Sequence, residues 1–485
     1  MGKISSYPAM TALQGPELIL GDQSGSTATT TPTAVAAYMA GLTTTPVIAS
    51  YARTAAEIAA GVTPTNYAYL PGNVLRYGAD PTGVTSSATA FNSAISVFGT
   101  NGGTLYLPLG NFLLDAPVAV PENLIIQGAG WGTQISLTSA AAGAFTFAPT
   151  TGTANTAAIT IKNLWISGTS SATYGIWLQN CAIVRISGVQ FTGFTDASSN
   201  CVYCAQNVFE TIIRDCYFPS LSGVGINLVG ASSAPCNNNQ IISCTMSAGA
   251  NTCIGIVVGS GCENTLITGC DLEGAGIGNV GINCSGSIGT TIIANYIESW
   301  AGTAIAANSG VATGLTITGN ELAATSTAAA VVILNSSGPN QTVIGENNTF
   351  LALGDSGYSS IGFLVGDTAS YMFIGNRSTG SGTEILNIAA AAQAAQDAIG
   401  SSTAILLNSP ASIDTSGRVS HFQLVSQFTG AVGNKITQGS GAPSTPGGNP
   451  TVGDFYLRTD TPGTSGQRIY ICTVGGSAPT WVGLI

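Results

Sequence analysis

Leu266-Ile267-Thr268-Gly269-Cys270-Asp271-Leu272 decides the fold, because the same phrase returns up and down the chain. It reappears as Thr160-Ile161-Lys162-Asn163-Leu164-Trp165-Ile166, Ile212-Ile213-Arg214-Asp215-Cys216-Tyr217-Phe218, Ile292-Ile293-Ala294-Asn295-Tyr296-Ile297 and Thr316-Ile317-Thr318-Gly319-Asn320-Glu321-Leu322. With the isoleucine as anchor, the phrase falls at 161, 186, 213, 242, 267, 293, 317, 344 and 374, in steps of 24 to 30 residues. A second phrase keeps nearly the same step: Gly175-Ile176-Trp177, Cys201-Val202-Tyr203, Gly225-Ile226-Asn227, Gly255-Ile256-Val257, Gly281-Ile282-Asn283 and Thr303-Ala304-Ile305. Self-similarity at such a period means a solenoid. Its units are short β-branched runs joined by Gly, Ser, Asn and Thr, with no 3.6-residue apolar period. Each coil can bury its few apolar residues only against its neighbours, so the core exists only in the stack. The expected fold is all-β, a right-handed parallel β-helix, the hand being the default for parallel crossovers.

Composition agrees. Hydrophobic residues make up 45% of the 485 residues and charged residues only 7%, against about 25% in ordinary globular chains. The surface must therefore be Ser, Thr, Asn and Gly, which suits stacked flat sheets. A net charge of −11 argues against nucleic acid or an anionic membrane as partner. No apolar run approaches the roughly 18 residues of a membrane span, and the first residues show no secretory signal.

Ten of the eleven cysteines lie between Cys181 and Cys284. Aligned coils put Cys216, Cys244 and Cys270 in one column, continued by Asn295 and Asn320. Buried reduced thiols filling the core are the favoured reading, although coils about 4.8 Å apart are within disulfide reach. Cys201 and Cys204 are separated by an odd step on a strand, so they point to opposite faces and do not form a metal pair. No metal or cofactor is expected.

Four regions follow. Residues 1–72 carry a strand at Glu17–Leu20 with a turn after it, a short helix at Thr31–Met39 and another at Thr54–Gly61, too little for a core of their own. Residues 73–384 hold the β-helix, with 73–157 as the opening segment and 158–384 as regular coils. In the opening segment Ala90, Phe91, Ala94 and Ile95 share one face of a helix, suited to closing the solenoid's first coil. Residues 385–435 are a connecting region with a helix expected at Ile388–Ile399, and 436–485 a small β module.

Tyr77-Gly78-Ala79-Asp80-Pro81-Thr82-Gly83, the Ala-Phe helix, Gly102-Gly103-Thr104-Leu105-Tyr106-Leu107-Pro108 and Ile125-Ile126-Gln127-Gly128-Ala129-Gly130, in that order, resemble the opening of pectate-lyase-like right-handed β-helix proteins, especially bacteriophage tailspikes and capsule depolymerases. With the coils the resemblance covers about residues 73–384. It implies a homotrimer that binds, and often cuts, bacterial surface polysaccharide. More loosely, the N-terminal segment is similar to virion-attachment regions, which implies docking on the phage tail or baseplate. Assembly would occur in the host cytoplasm, and the virion would act at the bacterial surface. Pectate lyase chemistry is not implied, since the coils carry few Lys or Arg.

Candidate chemistry comes from the alternation of the coils. If Ile166, Phe191, Phe218, Met246, Leu272, Ile297 and Leu322 point inward, their neighbours point outward. Asp271, Glu273, Glu298 and Glu321 then gather on one outer face beside Tyr296 and Trp300. Glycoside hydrolysis needs two carboxyl groups, roughly 5–5.5 Å apart for retention and 6.5–9.5 Å for inversion. Close like charges raise one pKa and leave a protonated acid. Glu273 and Glu298 are the first choice of pair, with Asp271 or Glu321 as the alternative partner, and Tyr296 and Trp300 as sugar-stacking rings. An acidic patch, a Ca²⁺ site or a trimer contact are the plainer alternatives. A second candidate is the group Trp165, Trp177, Tyr203 and Tyr217 with Arg214, as a sugar platform or as packing under a neighbour. The expected function is a tailspike that recognises and hydrolyses surface polysaccharide. Its rivals are a non-enzymatic receptor-binding or structural tail protein and, third, a polysaccharide lyase.

Overall fold

The computed structural model describes residues 18–21, 27–30, 51–149, 155–308, 313–334, 342–365, 370–381, 384–388, 436–440, 443, 452, 454–459, 469–475 and 477–483. Its body is a right-handed parallel β-helix. One coil shows the plan: strand Ile254–Val258, a short pairing at Cys262–Glu263, strand Leu266–Thr268, a sharp bend, then strand Asp271–Glu273. Each strand pairs in parallel with its counterpart one coil above and below. The first strand of every coil joins a 14-stranded sheet, while the strands flanking the bend form a second ladder. The early strands Thr160–Ser167 and Arg185–Thr192 run unbroken through the bend, and from Ile212 onward each divides in two.

Alternation builds the core. Ile166, Phe191, Phe218, Met246, Leu272, Ile297, Leu322 and Phe350 are buried and stack by register from coil to coil. Phe191 and Phe218 lie with ring centroids 5.0 Å apart and planes 6° apart. The anchor column needs a correction at four coils. The inward residues are Ile241, Ile292, Gly345 and Phe373, not 242, 293, 344 and 374, since Ile213 pairs with Ile241, Ile267 with Ile292, Ile317 with Gly345 and Gly345 with Phe373. In pairs such as Ile241-Ile242 either residue fits the apolar phrase, but the pleat admits only one to the core; Ile241 is buried and Ile242 half-buried.

The bend itself is a column of left-handed residues: Asn163, Gly188, Asp215, Ser243, Gly269, Ala294, Gly319, Asn347 and Gly375 all have φ between 50° and 67°. Glycine also relieves a close approach at 188, where an added Cβ would meet Asn163 Oδ1 at 2.8 Å. The next residue in each coil turns inward and satisfies the bend. Cys216, Cys244 and Cys270 occupy this place as free buried thiols, and Asn295 and Asn320 continue the column as expected, extended by Asn348 and Asn376. Asn295 Oδ1 accepts from Cys270 N at 2.9 Å, Asn320 Oδ1 from Asn295 N at 2.9 Å, and Asn348 Oδ1 from Asn320 N at 3.1 Å. The amides donate to Ile267, Ile292 and Ile317 carbonyls, so the ladder leaves no strand end unpaired there.

The first coil is closed as expected. Helix Ala88–Phe98 buries Ala88, Ala90, Phe91, Ala94 and Ile95, and Phe91 meets Phe112 edge-on at 5.9 Å. Helix Ala55–Ala59 begins with a capping box between Thr54 and Glu57. Residues 51–72 belong with this closure: buried Arg76 donates to Glu57 and to the carbonyls of Tyr51, Ala52 and Tyr69, and Tyr77 donates to Glu57 Oε1 at 2.9 Å. Strand Leu18–Gly21 pairs antiparallel with Thr27–Thr30; the helix expected at 31–39 lies outside the described residues. So does the helix expected at 388–399 except for Ile388, which ends strand Glu384–Ile388; this strand pairs with Ile361–Val365 and carries the stack past 384. At the C-terminus Ile436–Gly439, Phe455–Arg458, Ile469–Val474 and Thr480–Gly483 form a separate sheet. Among the described residues no helix is long and apolar enough to cross a membrane.

Candidate functional site

The outer face of the second ladder carries a straight column: Trp165, Gln190, Tyr217, Thr245, Asp271, Tyr296, Glu321, Thr349 and Arg377, each paired with the next. Beside it run Ser247, Glu273 and Glu298, again in direct register. The structure therefore brings together Asp271, Glu273, Tyr296, Glu298 and Glu321. Glu273 and Glu321 are exposed, while Asp271, Tyr296 and Glu298 are half-buried. Directly paired strands are about 4.8 Å apart, which sets the Glu273–Glu298 spacing; the diagonal Asp271–Glu298 relation is longer, about 7–8 Å.

Asp271 is the perturbed group. Its Oδ1 is buried without a hydrogen-bond partner, and burial first, then the Glu298 charge, raises its pKa above the ordinary carboxyl value. The phenol of Tyr296 is likewise pushed up, by burial first, then by its hydrogen bond to Glu298 and the charges of Glu298, Glu273 and Asp271. No Lys or Arg faces these four carboxylates from the paired strands: the nearest cation on the column is Arg377, two rungs beyond Glu321, where its Nε donates to Thr349 Oγ1 at 2.9 Å. Among the described residues no group of three or more His, Cys, Asp and Glu is arranged to hold a metal ion.

Trp300 does not belong to this surface. It is fully buried, and its Nε1 donates to the Leu272 carbonyl at 3.1 Å. The reason is a bulge: Ile297 faces Leu322 but Trp300 faces Ala324, so Glu298 and Ser299 stand opposite Ala323 alone, with Ser299 at φ 58°. One extra residue flips the alternation and sends Trp300 inward. Gly278 makes room, since a Cβ there would meet the indole at 2.5 Å. Glu298 itself keeps its register with Glu273 and so stays on the outer face with Asp271 and Tyr296.

The aromatic group divides. Trp165 and Tyr217 stand on the acidic column's own face, two rungs apart. Trp177 and Tyr203 pair with each other on the 14-stranded sheet, ring centroids 6.3 Å apart. The Trp165 Nε1 donates to Thr192 Oγ1 at 2.6 Å. Arg214 is exposed and meets Asp215 at 3.6 Å. One residue of this face escaped the sequence reading. Trp131 is 47% exposed, stacks on Tyr217 with centroids 5.7 Å apart and planes 14° apart, and donates from Nε1 to the Gly188 carbonyl at 2.9 Å. It sits in a turn before the regular coils, so no alignment column contains it; a lone Trp between Gly130 and Gly132 was the available signal.

Residues 72–250 match the family model described as rhamnogalacturonase A/epimerase, pectate lyase-like. No curated protein matches the chain. Among solved structures, the DFA-IIIase of Arthrobacter chlorophenolicus A6 in complex with DFA-III is similar with a TM-score of 0.50 at 15% identity, over 68% of this chain and 89% of that one. The A-module of the Azotobacter vinelandii mannuronan C-5 epimerase AlgE4 gives 0.46 at 17% identity, over 65% and 97%. The N-terminal fragment of gene product 12 of bacteriophage Phi29 gives 0.39 at 15%, over 66% and 72%. The fold is a pectate-lyase-like parallel β-helix.

Proposed function

We propose that this chain is a tailspike-type protein that binds bacterial surface polysaccharide along the Trp165–Glu321 column and hydrolyses it at the carboxylate cluster. The observation that carries the reading is Asp271, a partly buried carboxyl group beside Glu298 with no cation on the paired strands among the described residues. Such a group keeps its proton to higher pH than an ordinary carboxyl, the direction a general acid needs. Asp271 protonates the glycosidic oxygen as the bond from the anomeric carbon breaks. Glu298 takes a proton from the water that attacks this carbon from the opposite side. The diagonal spacing falls in the inverting range. Glu273 with Glu298, the pair first chosen from the sequence, has the shorter spacing of a retaining enzyme, so the anomer first released distinguishes the two.

The same reading includes a homotrimer carried on the phage tail through the N-terminal region. It is supported by the 14-stranded sheet, where strands Tyr174–Ala182, Asn200–Phe209, Val224–Val229, Ile254–Val258, Val280–Asn283, Thr303–Ala307, Val332–Leu334 and Ile361–Val365 contain no Asp, Glu, Lys or Arg, Glu263 and Glu384 being the charged residues of its other strands. Copies of a chain of net charge −11 can approach across such a face without like-charge repulsion.

The test is cleavage of surface polysaccharides from candidate hosts, scored by new reducing ends and by ultraviolet absorbance. Reducing ends without absorbance, lost about 10²–10⁴-fold in Asp271→Asn and Glu298→Gln of unchanged oligomeric state, are expected. Rising absorbance means a lyase. Binding with no product leaves a receptor-binding protein without catalysis.

A further inference from the structure

Away from the carboxylates, the same outer face holds an aromatic shelf of opposite electrostatic character. Trp131 is held from two sides, by the hydrogen bond to Gly188 and by the stack on Tyr217. A half-exposed indole so fixed has already lost its conformational freedom, and it offers a flat apolar face to a sugar ring. Its anchor, Gly188, is the bend residue of its coil. The residue before it, Ser187, pairs with Lys162 on one side and with Arg214 on the other. Two cations therefore stand about one strand spacing above and below the residue next to the anchor, while Asn163 and Asp215 flank the anchor itself in the bend column. Arg214 meets Asp215 at a long, exposed contact, of a kind worth little. Arg185 has its guanidinium turned to the Val184 and Glu210 carbonyls. Two rungs separate Tyr217 from Asp271, about 10 Å.

From this we infer that the Trp131–Tyr217 shelf is a subsite for a pyranose ring bearing a carboxylate, its ring on the indole and its anion between Lys162 and Arg214. It rests on the reading of this face as a polysaccharide site, but not on cleavage. A carboxylated unit is repelled at the Asp271 end by the carboxylates of Glu273, Glu298 and Glu321, so the polymer carries its acidic sugar at the shelf and an uncharged one at the carboxylates. The ligand class is an acidic heteropolysaccharide.

Calorimetric titration of the full-length protein with oligogalacturonate and oligomannuronate, against a neutral dextran oligomer of equal length, tests this. The acidic oligomers are expected to bind in preference to the neutral one, and added salt to remove the preference. Trp131→Ala, whose folding is checked by its thermal midpoint, should weaken binding about tenfold, with Trp131→Phe intermediate. Lys162→Ala with Arg214→Ala should abolish the preference for acid. Calorimetry reads binding alone, which separates this subsite from the cleavage reading. No binding of either acidic oligomer, equal binding of the neutral one, or unaltered binding by Trp131→Ala overturns the inference.

Discussion

Glu57 and Asp271 are both carboxylates drawn out of water, and the molecule treats them in opposite ways. At the closed end of the solenoid, Glu57 receives Arg76 Nε at 2.5 Å and Nη2 at 2.9 Å, the Tyr77 hydroxyl at 2.9 Å and the Thr54 amide at 2.7 Å. The Arg76 guanidinium, foremost among these, holds its pKa down to about 2. On the outer face, Asp271 has one oxygen unpartnered and Glu298 beside it, and its pKa rises. Burial alone pushes both up; the partner decides the outcome. The first arrangement locks structure, and the second keeps a proton available. In a chain with only 7% charged residues, this difference separates a charge used for folding from charges left for chemistry.

The largest effect should come from breaking the lock. Arg76→Leu leaves Glu57 buried with its charge unanswered, which costs about 3–5 kcal/mol, so the thermal midpoint of the β-helix should fall steeply and residues 51–72 should become open to protease. A change no larger than that of a surface substitution would show that Glu57 is solvated in solution. The next effect is in acid. A carboxyl depressed in the folded state stabilises above its ordinary pKa, near 4.5, and this contribution disappears as the pH falls toward about 2. At about 1.4 kcal/mol per pH unit it amounts to roughly 3 kcal/mol. Glu57→Gln should flatten this part of the acid-melting profile.

How far these features could be read from the sequence follows from what each depends on. The coil period, the inward column from Ile166 to Leu322 and the Cys-to-Asn column are repeated at every coil, so many weak signals add. Asp271, Glu273, Glu298 and Glu321 were legible for the same reason, as positions fixed by alternation. Alternation failed where the backbone departs from it: the bulge at Glu298-Ser299 turned Trp300 inward, and nothing in Tyr296-Ile297-Glu298-Ser299-Trp300 announces an extra residue. Trp165 and Trp177 look like neighbours by number, but a corner of the coil divides them between two sheets. The Glu57–Arg76 lock was invisible because both residues occur once, outside the repeat, and a single long-range pair has no periodicity to reveal it.

The smallest expected effect tests the unpaired side of the comparison. At pH values where Asp271 is ionised, Asp271→Asn removes a charge that folding disfavours, so it should stabilise the protein slightly there while abolishing any cleavage. Because the folded pKa of Asp271 is raised, the parent binds its proton more tightly when folded, and its stability falls as the pH rises through the interval between the ordinary value of 3.8 and the raised one. Below that interval parent and variant both carry an uncharged side chain, and their thermal midpoints should coincide. Above it the variant's midpoint should be the higher of the two. A variant that is less stable at neutral pH would mean that Asp271 is held ionised by a group supplied from outside this chain. The contrast with Glu57 would then collapse into two versions of the same paired carboxylate, and the proton needed for glycosidic cleavage would have to come from Glu273, Glu298 or Glu321 instead.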